Sequence, residues 1–160
     1  MKKIMLLMVC LAVALVSCKP KVKVIEITGD AKNKVLAYSE AVTDGIMKGY
    51  NEMDHKTYSK DFDEKMKNAL PEKVFNQKIK QIKDKIGEYK SRKVTKVQKQ
   101  NQYTVVYYKT QFKDEKDVKM KVVFQKYGTK MLVSGHWLNS PKLRGEKKSK
   151  NKENKKDKKN

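Results

Sequence analysis

Apolar positions recur at helical spacing through the first half of the chain and at every second position further on, and the change falls at Glu88. Spacings of three to four keep side chains on one face of a helix, whereas a spacing of two keeps them on one face of a strand. Val35, Tyr38, Val42, Ile46, Tyr50 and Met53 mark a first helix, with Asp30 as its N-cap. Gly45 and Gly49 lie inside it, and each costs about 1 kcal/mol against alanine there; the pair predicts close packing of this helix against a sheet. A break at Asp54-His55 reads as a cap or turn. A second helical piece follows, with Tyr58, Phe62, Met66 and Leu70 spaced by four. Pro71 stands at the first turn of a third helix, where its missing N–H costs nothing. In that helix Phe75, Ile79, Ile82 and Ile86 form the apolar stripe, and Lys78, Lys80, Lys83, Asp84 and Lys85 the solvated face. Gly87 ends it.

Beyond Glu88 the alternation predicts four strands, over 89–99, 102–113, 117–127 and 129–139, separated by turn residues. The third is the clearest: Val118, Met120, Val122 and Phe124 point one way, Lys119, Lys121 and Gln125 the other. One buried and one wet face is the mark of an antiparallel sheet covered by helices on one side. The second and fourth strands carry apolar or aromatic residues on both parities, which places them centrally or around a groove. Helices first and a meander afterwards predict an α+β domain, with N-terminal helices on a curved four-stranded antiparallel sheet.

Ahead of the domain, Met1-Lys2-Lys3 and the apolar run from Ile4 to Val16 are too short for a transmembrane helix and read as an export signal. Leu15-Val16-Ser17-Cys18 resembles the lipobox of bacterial and archaeal lipoproteins. The resemblance implies transfer of diacylglycerol to the Cys18 thiol, cleavage between Ser17 and Cys18, and a protein held by lipid on the exported side of the cell membrane or outer membrane. Lys19 directly after the cysteine mildly favours outer-membrane sorting in a two-membrane cell. Cys10 leaves with such a leader, so the mature chain has no internal disulfide, thiol nucleophile or cysteine zinc site. The expected organisation is a signal peptide over 1–17, a lipidated tether over 18–28, a domain over 29–142 and a disordered lysine-rich tail over 143–160. The tether alternates Lys with Val and Ile, which lets it end as an edge strand.

The formal net charge is +21, from 39 Lys and Arg against 18 Asp and Glu. The leader and the tail from Gly145 account for a third of it, so the domain is itself basic. Such a field attracts polyanions: nucleic acid, cell-wall polymers or anionic lipid. Only Arg92 and Arg144 are arginines, and specific phosphate recognition favours the guanidinium fork over lysine.

Residues 35–139 resemble the cone-shaped domains of the nuclear transport factor 2-like, cystatin-like superfamily. The stretch from Tyr58 to Pro71, then Phe75 and Ile86-Gly87-Glu88-Tyr89, resembles a domain of unknown function in that group, found in envelope lipoproteins and fused to some hydrolases. The later pattern of Tyr103 to Tyr108, Phe112, Val122-Val123-Phe124 and Gly135-His136-Trp137 is compatible with its strands. The resemblance implies a sheet wrapping the first helix, with an open end able to hold a ligand. Under this reading Tyr38, Tyr50, Tyr107, Tyr108, His136 and Trp137 are the candidates to line such a pocket. The only histidines, His55 and His136, are about eighty residues apart and make no metal pattern. Asp61, Asp63 and Glu64 are interleaved with lysines and read as an exposed salt-bridged face. No metal or cofactor is expected, and no catalytic motif stands out. The first expectation is therefore a lipid-anchored, non-enzymatic envelope module that holds a small ligand or a protein partner. A surface polyanion binder is the alternative, and an isomerase- or hydratase-like enzyme is third, by analogy of fold alone.

Overall fold

The computed structural model describes residues 22–146; the leader, Cys18 and the tail beyond 146 lie outside them. The elements run β1 (Val24–Glu26), α1 (Gly29–Glu52), α2 (His55–Ser59), α3 (Glu64–Ala69), α4 (Glu72–Ile86), β2 (Tyr89–Gln100), β3 (Tyr103–Phe112), β4 (Val118–Tyr127), β5 (Lys130–Asn139) and α5 (Pro141–Arg144). The strands form one antiparallel sheet in the order β1-β2-β3-β4-β5. This is the expected α+β class, with five strands instead of four. The extra strand comes from the segment expected as tether, whose Val24–Glu26 pairs with the far end of β2. Among the described residues no helix is long and apolar enough to cross a membrane.

The meander follows the alternation of the sequence. Val118, Met120, Val122 and Phe124 are buried against the helices. Register shifts at Tyr89/Ser91, Val94/Lys96 and Val123/Phe124 break the pleat, and such irregularities raise twist and bend a sheet. Helix α1 lies in the resulting concavity, with Ile46, Met47 and Tyr50 in one core with Val97, Val106 and Tyr108. Arg92 on β2 fastens the helix, its guanidinium donating to Glu40 at 2.9 Å and to Asp44 at 2.5 Å.

Three local expectations are corrected. Asp30 does not cap α1: Thr28 is the N-cap and Asp30 sits in the first turn, where a carboxylate favours the helix dipole. Pro71 precedes α4 as its N-cap, in extended backbone, and does not stand inside the first turn. The Tyr58–Leu70 piece is two short helices, because Phe62 leaves the helical path to form a parallel bridge with Val133. Gly87 does end α4, at φ 78°, and its N–H bonds the Lys83 carbonyl.

Gly49 is required for a different neighbour than the sheet. A Cβ there lies 2.7 Å from the Tyr58 Cα and 2.8 Å from the Asp54 carbonyl oxygen, so α2 packs directly on its backbone. Gly45 has nothing within 4 Å of the same position. Gly49→Ala should therefore lower stability by about 1–3 kcal/mol through overpacking. Gly45→Ala should raise it by up to about 1 kcal/mol through helix propensity. Urea melts of the two variants check both signs.

Candidate functional site: a cleft against the inner face of the edge strand

The wall of the site begins with α2. Asp54 caps it, accepting from the Lys56 N–H at 2.9 Å. His55 donates from Nε2 to the Leu70 carbonyl at 2.9 Å and packs on Phe75 at 5.3 Å, which ties α2 to α3 and α4. The next residues are stapled to β5: Asp63 N–H bonds the Val133 carbonyl at 2.9 Å, and Val133 N–H bonds the Asp61 carbonyl at 2.8 Å. Asp63 is buried, a correction to the exposed face expected for it. Its carboxylate accepts from Ser134 at 2.6 Å, from the Met66 N–H at 2.8 Å and from Tyr127 at 3.2 Å. Burial works to raise its pKa, and these donors outweigh it and hold the carboxyl below its usual range. Among the described residues no group of three potential metal ligands comes together.

Between α2, α3, α4 and β5 lies a cleft of about 270 Å³. Its walls are mostly apolar, with Met66, Leu70, Ile79, Ile82 and Leu138, and Lys78 reaches its rim. His136 stands on the inner face of β5, opposite Val122. Its Nδ1 is 2.8 Å from the Tyr58 hydroxyl, whose ring packs between Phe62 and Phe75 at 5.4 and 4.9 Å. His136 is half-buried as a whole residue, but its Nε2 is shut off from solvent and has no hydrogen-bond partner among the described residues. Burial pushes its pKa down to about 4, so the imidazole is neutral at pH 7. If Tyr58 donates to Nδ1, then Nε2 is left as a free donor; if Tyr58 accepts, Nε2 is a free acceptor. Among the described residues no carboxylate lines the cleft.

Of the six residues read as pocket lining, His136 and Trp137 border this cleft and the four tyrosines do not. Tyr50 fills the core under α1 and donates to the Gly87 carbonyl at 2.8 Å. Tyr108 is buried and donates to Glu40 at 2.9 Å. Tyr38 meets Phe124 edge-on at 5.4 Å. Tyr107 faces outward and accepts from Gln100 at 2.9 Å. The space between α1 and the sheet is thus occupied by core side chains, and the cleft opens beside it. The four-residue spacing of Tyr58 with Phe62 marks it as a core position and gives no sign that its hydroxyl turns toward β5.

A comparison with curated proteins finds no match. A comparison with family models matches residues 44–129 to a protein family of unknown function, DUF3887. The matched span runs from the middle of α1 to the turn before β5. It includes the helical wall of the cleft and stops short of His136 and Trp137. Because the match covers more than half of the 160 residues, the chain belongs to the DUF3887 family.

Proposed function

We propose that the protein is a binding module of the cell envelope, tethered through acylated Cys18, whose cleft holds a small, mainly apolar molecule with one polar group. The observation that carries this reading is the unpartnered Nε2 of His136 in the wall of an apolar cleft. A buried polar atom without a partner costs about 1–3 kcal/mol, and native proteins rarely leave one. A ligand that brings one donor or acceptor to Nε2 recovers that cost, while its apolar body covers Leu70, Ile82 and Leu138. Nε2 is shut off from solvent, so such a ligand displaces the side chains that close over it. The cleft volume suits a molecule with on the order of ten to fifteen heavy atoms, at the small end of ligand sites. A neutral imidazole with no carboxylate beside it fits binding better than acid–base turnover.

Trp137 is the only tryptophan and borders the cleft, so its fluorescence reports occupancy. Titration with 4-ethylphenol and with 1-octanol is expected to give saturable changes that Ile82→Phe, which fills the cleft, abolishes. No saturable change with either probe, or an unchanged titration in Ile82→Phe, rejects the reading. The double variant Tyr58→Phe/His136→Leu removes both polar groups at once. It should melt at or above the temperature of the parent chain while losing probe binding, because a site kept for binding is stabilised when its polar groups become apolar.

A further inference from the structure

The outer face of the sheet, away from the helices and sharing only Trp137 with the border of the cleft, carries a second feature. Register places Lys93 opposite Lys109 and Lys109 opposite Lys119, a row of three exposed lysines across β2, β3 and β4. The next row holds Lys96, Tyr107, Lys121 and Trp137. Together the two rows present five lysines, and neither row holds a carboxylate. The nearest acids are at the margins: Asp117 in the β3–β4 turn pairs with Lys109 at 2.6 Å, and Glu26 on β1 stands opposite Gln98. Like charges directly opposite one another weaken an antiparallel sheet, so this row works against the fold on its own.

We propose that this face docks on an anionic phospholipid bilayer. Charge complementarity is the first argument: a flat face with five ammonium groups within three neighbouring strands meets a plane of phosphates, and binding relieves the repulsion along the row. Lysine serves as a point charge there, and the bidentate fork of arginine is not needed. The second argument is the aromatic chemistry. Trp137 is 49 % exposed at the sheet edge, the side chain that prefers the membrane–water boundary. Its ring folds over Gly135, where any Cβ would collide with it, and it carries the Lys121 ammonium 4.3 Å from its centroid. The Lys96 ammonium lies 5.0 Å from the Tyr107 centroid. Both rings are thus engaged by cations, and the base stacking used by single-strand nucleic-acid binders has to displace them. The docking is independent of what the cleft binds.

The chain from Lys19 to Asn160 contains every element of the fold, and its tail is common to all variants. Its sedimentation with vesicles of phosphatidylcholine and phosphatidylglycerol is compared with that of Lys93→Gln/Lys109→Gln/Lys119→Gln. A matched control, Lys73→Gln/Lys80→Gln/Lys85→Gln, removes the same charge from α4. At about 1 kcal/mol per lysine near such a surface, or roughly fivefold each, the face variant should bind on the order of a hundredfold more weakly. The control should lose only a few-fold. Removing the opposed lysines relieves repulsion, so the face variant should melt no lower than the parent. Equal losses in face variant and control, no loss in either, or no vesicle binding by the parent overturns the proposal. So does binding of soluble polyphosphate, with the same dependence on the face, in the absence of vesicle binding.

Discussion

Phe62→Ala is expected to destabilise the domain by about 3–5 kcal/mol, the usual cost of emptying a fully buried phenylalanine site. Phe62 is 1 % exposed and packs on Tyr58 at a centroid distance of 5.4 Å. Its backbone forms the bridge to Val133, and the flanking Asp61 and Asp63 make the two hydrogen bonds to β5. The side chain is thus the apolar half of a staple whose polar half is the Asp63 carboxylate with Ser134 and Tyr127. The surroundings are helix ends and an edge strand, which are free to shift, so part of the cavity should collapse. That places the expected cost at the lower end of the range. Urea unfolding gives the number, and an unchanged slope with denaturant shows that the loss is one of stability and not of cooperativity. A loss below about 1 kcal/mol would show that the 61–63 segment is not part of the core. Tyr58 loses one of the two phenylalanines that hold its ring, so probe binding in the cleft should weaken along with stability.

Acid should destabilise the protein well above the range where its carboxylates titrate. His136 has a folded-state pKa near 4 against about 6.5 unfolded, because burial disfavours the imidazolium. Between these values the unfolded chain binds a proton that the folded chain does not, so stability falls as pH falls. Its contribution is fully present above pH 6.5 and is lost progressively toward pH 4, with a total of roughly 3 kcal/mol. The groups facing this side chain are the Tyr58 hydroxyl on α2 and Lys78 at the rim on α4, and neither supplies a negative charge to stabilise the imidazolium. Asp63 acts lower: its depressed pKa contributes stability above the ordinary carboxylate value and loses it only as pH falls further. Melting temperature against pH should therefore show a first decline between pH 6.5 and 4. Tyr58→Phe/His136→Leu should remove that decline and leave the later one in place. A first decline of the same size in the double variant would assign it to another group.

The parts of the fold that sequence determines are those set by neighbours two to four positions apart. The change of period at Glu88, the stripe of Phe75, Ile79, Ile82 and Ile86, the stop at Gly87 and the alternation from Val118 to Phe124 each follow from local backbone geometry and burial of one face. They establish helices first, a meander afterwards, and the α+β class. Where both parities of a strand are apolar, the same rule has nothing to choose between. Tyr107 and Tyr108 are then sorted by the pairing of β3 with β4, which puts the first opposite Lys121 on the outer face and the second opposite buried Met120 under α1. The split of the Tyr58–Leu70 piece has the same origin, since Phe62 gives up a helical position for a bridge to a strand seventy residues away. The candidate site is wholly tertiary. Its polar pair, Tyr58 and His136, are 78 residues apart, and each looks locally like a core or strand residue. Likewise, five lysines scattered over three strands become one face only through register. Hydrophobic period and turn residues determined which elements form; pairing, bulges and the staple at Phe62 decided which side chains meet, because those depend on contacts that no local pattern records.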